Sequence, residues 1–236
     1  MKFEKTSVFN FDGAFRGMRN PMNSWDKSDS YWKQTTKFED GYRMFEYRVG
    51  HSDLELAQKL IKAGSEHRKF MRQIFVSVDI TAPLYWWKEF DTYKVGTVAN
   101  STSTMHKLAS TPITEDCFEM DDFEDLDDIG YMLNTPMSTG FYWYHTVKYM
   151  ELLRQKYNET KDIRYWKELI RLLPESWLQK RTVTFDYENL LAICSRGQRR
   201  FHKLTEWSTA FIDWARTLPY AQELIFIDEA ENENSN

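Results

Sequence analysis

Residues 73–81, with the sequence QIFVSVDIT, alternate apolar and polar side chains around β-branched types. This period of two predicts a β-strand, and Pro83 closes it because proline cannot donate to a strand ladder. Strands are also predicted at 2–10 and 42–49, and a short strand or turn is predicted at 181–187. The chain is therefore predicted to build at least part of its core on a sheet.

Residues 52–63 have the period of a helix. Ser52 is predicted to be its N-cap, Glu55 to complete a capping box, and Gly64 to end it. The segment before it is different: residues 11–30 are rich in Gly, Asn, Ser and Asp, and they predict a loop after a short helical turn.

The sequence of residues 138–172 predicts two helical segments, separated by a break near 158–161. Pro174 is expected to end the second segment. Two further helices are predicted at 188–200 and 202–217. In the last of these, a buried stripe is predicted from the helical spacing of Leu204, Trp207, Phe211 and Trp214.

Strands and helices together predict an α+β fold, and no internal repeat or linker rich in proline or glycine divides the chain. Residues 1–228 are thus predicted to form a single domain, followed by a disordered polar tail at 229–236. The aromatic content of 16% predicts a solid core, since large rings bury much apolar area.

The formal net charge of −5 and the absence of a basic run argue against a protein that binds nucleic acid through phosphate contacts. No apolar run approaches the length of about 18 residues that a membrane helix needs, and the N-terminus resembles no signal peptide. The cysteines, Cys117 and Cys194, are expected to be free thiols in a reducing compartment, the cytoplasm.

The acidic stretch EDCFEMDDFEDLDD within 111–129 lacks the spacing and the glycine turn of a calcium loop. It is predicted to be a solvated loop or helix start, and no metal site is expected in the chain.

A polar loop at 97–106 is the first candidate site. It concentrates small hydroxyls, one amide and one imidazole: Asn100, Ser101, Thr102, Ser103, Thr104 and His106. Such groups can hydrogen-bond a phosphate or a base edge, with Lys88 and Lys94 as flanking cations. The same residue types also cap helices and make turns, so composition alone leaves both interpretations open.

The sequence SRGQRRFHKLTEW is the second candidate, with basic residues concentrated where one predicted helix gives way to the next. Free N–H groups at a helix start favour an anion there. A solvated basic corner explains the same residues equally well.

Read in order, these segments resemble the flavin-dependent thymidylate synthases. LIKAGSEHRKFMRQIFVSVDITAP is similar to that family's helix, histidine-containing turn and strand, with His67 on its first histidine and Gln73 on its second. KEFDTYK lies at the position of the family's Arg-Gln-x-x-Arg-His-Arg signature. NSTSTMH follows the pattern Asn-Glu-x-Ser-x-Arg-Tyr and retains Asn100 and Ser103.

The resemblance to the family continues to about residue 215. The sequence is also similar to a group of phage and prophage-borne relatives of that family. Lys180 or Arg181 takes the place of a nucleotide-binding arginine, and Arg196, His202 and Glu206 match a later helix of the family. Arg19 matches an early arginine. The signature Arg-His-Arg is replaced by Thr92, Tyr93 and Lys94, which removes two guanidinium groups.

The resemblance implies a central, mostly antiparallel sheet flanked by helices, in a homotetramer that binds FAD. It implies reductive methylation of dUMP, or a related pyrimidine deoxynucleotide, with methylenetetrahydrofolate and NADPH as co-substrates. The alternative is a nucleotide-binding or scaffold protein that kept the fold without flavin catalysis.

Ser103 and Lys94 are expected to act in catalysis. The residues expected to bind FAD are His67, Gln73, Thr92, Tyr93, Lys94, Asn100, Arg196 and His202. Those expected to bind the nucleotide are Lys88, Glu89, Ser101, Ser103, Met105, Lys180, Arg181 and Glu206.

Overall fold

The structure is a computed structural model that describes residues 1–37, 43–93, 95–121, 123–124, 138–195 and 204–229. The strands within those ranges are β1 (Lys2–Phe9), β2 (Tyr31–Lys37), β3 (Arg43–Arg48), β4 (Phe75–Pro83), β5 (Val98–Ser101) and β6 (Leu178–Asp186). The α-helices are α1 (Phe11–Met18), α2 (His51–Lys62), α3 (Leu84–Phe90), α4 (Thr104–Lys107), α5 (Thr139–Thr160), α6 (Ile163–Arg171), α7 (Tyr187–Ile193), α8 (Ile212–Arg216) and α9 (Ala221–Leu224). A π-helical turn, Glu206–Phe211, leads into α8.

One sheet contains four strands in the order β1, β4, β6 and β5. β2 and β3 pair antiparallel as a separate two-stranded sheet, with an irregularity in register between Gln34 and Thr36. Antiparallel sheets flanked by helices confirm the predicted α+β fold class. The strands at 2–10, 42–49 and 73–81 are confirmed, whereas β2 had no prediction.

The chain divides into two compact units. Unit 1 comprises Met1–Lys2, Ile80–Thr92 and Asn100–Arg181, and unit 2 comprises Phe3–Asp79, Tyr93–Ala99 and Thr182–Asn236. β4 and β6 each contribute residues to both units. The organisation as a single domain stays a prediction.

The core of unit 1 forms on α5. Val147, Met150 and Leu153 recur every three residues along this helix and are buried. They belong to one apolar cluster with Leu108, Ile113, Phe118 and Leu169. Each fully buried side chain of this size contributes about 1.5–3 kcal/mol to folding, so this cluster contributes substantially to the stability of the unit.

Glu151 on α5 binds the segment that precedes Cys117. Its carboxylate binds Arg154 at 2.7 Å and accepts the N–H of Ile113 at 2.8 Å. The hydrogen bond from Arg154 is the main reason that the pKa of Glu151 falls to about 2, and the bonds from Ile113 and Gln155 add to it against the opposing effect of burial. The charged form of Glu151 is therefore part of the folded structure at neutral pH.

Aromatic rings fill the core of unit 2. Phe3 stacks on Trp214 with ring centroids 4.9 Å apart, and Trp207 stacks on Phe211 at 5.7 Å. Tyr187 is buried and donates its hydroxyl proton to the carbonyl of Pro219 at 2.7 Å. The predicted aromatic core is thus present, and the buried hydroxyl of Tyr187 has a hydrogen-bond partner.

The loop predicted for residues 11–30 starts later than expected, because the short helical turn predicted before it is an eight-residue helix, α1, over 11–18. Phe11, Ala14, Phe15 and Met18 are buried, and their spacing is that of one helix face. Gly13 and Gly17 lower the helix propensity of this segment, but burial of the apolar face outweighs their cost of about 1 kcal/mol each.

The N-cap predicted for the next helix is also wrong. α2 begins at His51 and its N-cap is Gly50. Asp29 serves the free N–H groups instead: its carboxylate accepts the N–H of Ser52 at 2.9 Å and that of Asp53 at 3.1 Å. The predicted end of the helix is confirmed by Gly64, whose φ of +106° suits glycine.

The predicted break at 158–161 is confirmed. Lys161 adopts a positive φ of 56° after α5, and Asp162 caps α6 by accepting the N–H of Arg164 at 2.9 Å.

Of the predicted stripe at 202–217, Trp207, Phe211 and Trp214 are buried, whereas Leu204 is 41% exposed. Residues 196–203 and the tail from 230 lie outside the described residues.

No helix in the described part of the chain is both long enough and apolar enough to cross a membrane. Within the same residues, no group of three or more His, Cys, Asp or Glu side chains is arranged to hold a metal ion. Cys117 and Cys194, which are both described, form no disulfide bond with each other.

Candidate functional site

Ser103 lies between β5 and α4, in unit 1. The segment before it is fixed to β6, because Thr102 donates its N–H and its hydroxyl to the carbonyl of Lys180, at 2.9 and 3.1 Å. Ser103 is the N-cap of α4: its Oγ accepts the N–H of His106 at 3.1 Å and lies 2.8 Å from the imidazole Nδ1. The predicted polar loop therefore contains a strand and a helical turn, and its serine does cap a helix.

A cleft of about 300 Å³ opens beside this serine. We call it the hydroxyl cleft, and its lining residues are Thr81, Thr102, Ser103, Thr104, Lys107, Leu108, Ser110, Thr111, Trp177, Leu178, Gln179 and Lys180. Six of them carry a hydroxyl group, two are lysines, and no carboxylate is among them. Hydroxyl and ammonium groups without a competing acid form a site suited to a phosphate group.

The side chain of Arg181 does not line the hydroxyl cleft and binds neighbouring residues instead. Its Nη1 binds the carboxylate of Asp91 at 3.1 Å, and its guanidinium lies 4.3 Å from the ring centroid of Trp87. Its Nε donates to the side-chain oxygen of Gln179 at 3.0 Å. Of the two residues predicted to replace the family's nucleotide-binding arginine, Lys180 lines the hydroxyl cleft and Arg181 does not.

The other predicted residues of unit 1 lie outside the lining of that cleft. Lys88 binds Glu175 at 2.6 Å on the surface, and Thr92 donates its hydroxyl to the carbonyl of Glu89 at 2.8 Å, at the end of α3. Asn100, Ser101 and Met105 are exposed.

Unit 2 has a second and more apolar cleft of about 500 Å³. We call it the apolar cleft. Its apolar lining comes from Met18, Met22, Leu56, Leu60 and Phe70, and its polar lining includes Asn20, Glu66, His67, Lys69 and Gln73. His67 and Gln73, both predicted to bind FAD, are thus brought to one cleft by the helical turn Lys69–Gln73 and the residues before it.

A buried ion pair holds the walls of the apolar cleft. Arg19 Nε binds Asp53 Oδ1 at 2.5 Å, and both side chains are at most 4% exposed. Ser28 and Ser30 donate their hydroxyls to the other carboxylate oxygen, at 2.6 and 2.5 Å. Arg19 follows α1 and Asp53 lies on α2, so this network joins two of the three segments that line the cleft.

Tyr93 packs inside unit 2. Its ring stacks on the buried Trp207 with centroids 5.6 Å apart. Glu206, the neighbour of that tryptophan, is 7% exposed. Neither residue lines the hydroxyl cleft or the apolar cleft. Lys94, Arg196 and His202 lie outside the described residues.

Glu188 at the start of α7 binds two arginines of unit 2, Arg68 at 3.0 Å and Arg72. Burial alone would raise the pKa of this carboxyl, but the two guanidinium groups outweigh burial and lower it. Arg72, which replaces a carboxylate of the family's turn, is therefore part of an ion-pair cluster.

No protein-family model matches the chain, and no curated protein matches its sequence. Solved structures do match. One is the flavin-dependent thymidylate synthase ThyX from Helicobacter pylori complexed with FAD and dUMP, with a TM-score of 0.64 and 16% identity over 97% of this chain and 99% of that chain. A second structure of ThyX from Helicobacter pylori with FAD and dUMP has the same TM-score and 17% identity, over 97% of this chain and 98% of that one.

The chain has the fold of ThyX. Within this ThyX-like fold, the structure brings Ser103 and Lys180 together in one cleft and His67 and Gln73 together in another. Lys107 and Gln179 also line the hydroxyl cleft, although neither was predicted from the sequence as a site residue. Lys107 could have been found from its spacing, because it lies four residues after Ser103 and hence one helical turn away.

Proposed function

We propose that this protein binds a pyrimidine deoxynucleoside monophosphate in the hydroxyl cleft and methylates it reductively with FAD. One observation carries the proposal. Ser103 and Lys180 are 77 positions apart in the sequence, each resembles a nucleotide contact of the same family, and both line one cleft.

The chemistry of the cleft supports a phosphate ligand. A phosphate monoester carries almost two negative charges at neutral pH. Lys107 and Lys180 supply two ammonium groups, and Ser103 and Thr104 supply neutral hydroxyl donors. Each hydrogen bond to the charged ligand is worth about 1.5–3 kcal/mol, so this set is sufficient for micromolar binding.

The apolar cleft fits part of FAD. A flavin needs apolar walls for its ring faces and hydrogen-bonding groups for its edges, and this cleft combines Leu56, Leu60 and Phe70 with His67 and Gln73. When bound, FAD supplies the redox chemistry of the reaction. The proposed co-substrates are methylenetetrahydrofolate, as one-carbon donor, and NADPH.

A second function, nucleotide binding without flavin, is favoured by the signature segment. Thr92 bonds its own helix end and Tyr93 stacks on Trp207. Neither residue offers a cation to FAD. Arginine at such positions provides a fork of donors that neither residue can replace.

The absorption spectrum and the thermal unfolding of the purified protein distinguish the two functions. The flavoenzyme predicts flavin absorbance after incubation with FAD, and a higher Tm with FAD and with dUMP. The nucleotide-binding protein predicts a higher Tm with dUMP and no response to FAD. If dUMP raises the Tm no more than deoxyuridine does, the phosphate site proposed here is wrong.

Replacing Ser103 with alanine is expected to weaken dUMP binding about tenfold, because a donor to the phosphate worth about 1.5 kcal/mol is lost. The variant also loses an N-cap, which costs about 1 kcal/mol of stability by itself. Ser138→Ala is the matched control: Ser138 caps α5 by accepting the N–H of Phe141 at 3.2 Å and does not line the cleft. Titration calorimetry should show weaker binding in Ser103→Ala alone, and equal affinities in the two variants would contradict the assignment.

A further inference from the structure

The side-chain amide of Gln179 lies between Arg181 and the loop that carries Ser103. Its oxygen accepts from Arg181 Nε at 3.0 Å, and its nitrogen donates to the carbonyl of Thr102 at 2.9 Å and to Thr104 Oγ1 at 3.3 Å. Arginine has no acceptor and a carbonyl has no donor. Only one orientation of the amide satisfies both Arg181 and the carbonyl of Thr102. Arg181 therefore ensures that the amide nitrogen of Gln179, and not its oxygen, faces the loop.

Arg181 is itself held on two further sides. Asp91 binds its Nη1 at 3.1 and 3.3 Å, and the ring of Trp87 lies beneath its guanidinium. Trp87 is fully buried and donates its Nε1 proton to the main-chain carbonyl of Gln179 at 2.9 Å. The arginine side chain is 16% exposed. Its charge is thus compensated and its position is fixed within unit 1.

We infer that Arg181 is a positioning residue, which acts through Gln179 to hold the 102–104 loop and Ser103 in the geometry that receives the ligand's phosphate. The chain of contacts is Asp91 to Arg181, Arg181 to Gln179, and Gln179 to Thr102 and Thr104. This inference rests on the proposed function for its ligand, but the positioning of the loop is measurable without one.

A double-mutant cycle separates positioning from direct contact. Gln179→Met and Arg181→Met are each expected to weaken dUMP binding about tenfold, and the double variant about tenfold as well, because both interrupt one chain of contacts. A direct contact of Arg181 with phosphate instead predicts that the two losses multiply, to about a hundredfold.

Arg181→Lys supplies a milder variant. Lysine keeps the charge beside Asp91 but cannot also present a fixed donor to Gln179. Positioning therefore predicts that Arg181→Lys binds dUMP as weakly as Arg181→Met, whereas a direct phosphate contact predicts substantial recovery. Arg171→Lys and Arg171→Met are matched controls, since Arg171 is 60% exposed on α6 and pairs with Glu168.

Hydrogen exchange tests the loop without a ligand. The N–H of Thr102 is bonded to Lys180, and its protection is expected to fall at least tenfold in Gln179→Met, Arg181→Met and Arg181→Lys but not in the Arg171 controls. Unchanged protection would overturn the inference whatever the affinities are. If the unaltered protein binds neither dUMP nor inorganic phosphate, the proposed function fails, while loss of Thr102 protection in the variants still supports positioning.

Discussion

Lys180→Gln is expected to weaken dUMP binding by about one to two orders of magnitude, the largest effect that we predict on ligand affinity. The substitution removes one of the two ammonium groups that line the hydroxyl cleft and leaves a neutral side chain of similar length. A hydrogen bond to a charged group contributes about 1.5–3 kcal/mol, which corresponds to a factor of roughly 10 to 150 in Kd.

Titration calorimetry with dUMP and with deoxyuridine checks this expectation. The loss should appear for the nucleotide and not for the nucleoside, because only the nucleotide has the phosphate that Lys180 is proposed to contact. Lys167→Gln is the control, since Lys167 is an exposed lysine of α6 outside the cleft lining. Equal losses for both ligands would show that Lys180 acts on something other than the phosphate.

Arg19→Met is expected to lower the free energy of unfolding by about 3–5 kcal/mol, the largest effect on stability. The substitution leaves the carboxylate of Asp53 at 1% exposure with the hydroxyls of Ser28 and Ser30 as its remaining side-chain donors. A buried charge without its counter-ion is costly because the solvation it had in the unfolded chain is not replaced.

Urea denaturation of three variants measures this cost. Arg16→Met, an exposed substitution on α1, should change the free energy of unfolding by less than about 0.5 kcal/mol. Replacing both Arg19 and Asp53 with methionine should recover part of the loss, because no charge then stays buried. A double variant less stable than Arg19→Met alone would show that packing, and not the uncompensated charge, dominates.

Helices and strands could be predicted from the sequence where the pattern of apolar and polar residues that defines them lies within the segment itself. β4 follows from its alternation, and the break between α5 and α6 follows from the run of polar residues at 158–161. The fold class followed from the same patterns together with the ordered resemblance. Only a short helical turn was predicted in place of α1, because two glycines and a polar environment obscured four apolar residues at helical spacing.

The partners of the candidate site were harder to predict, because they are distant in the sequence. Asp91 and Arg181 are separated by 90 residues, and Asp29 caps α2 from 23 residues before Ser52. No local propensity encodes such pairs. The resemblance located Ser103 and Lys180, but it could not show that Arg181 is already engaged by Asp91, Trp87 and Gln179.

The short contact between Ser103 and His106 links any ligand in the hydroxyl cleft to the tautomer of an imidazole. If the ring proton is on Nε2, the Ser103 hydroxyl donates to Nδ1 and has no proton left for a phosphate. If the ring proton is on Nδ1, the ring donates to Ser103 Oγ, which lies 2.8 Å away, and the hydroxyl proton is released toward the cleft. A phosphate that accepts from Ser103 would therefore select the Nδ1–H form of His106, so the proposed binding depends on a histidine outside the lining of the cleft.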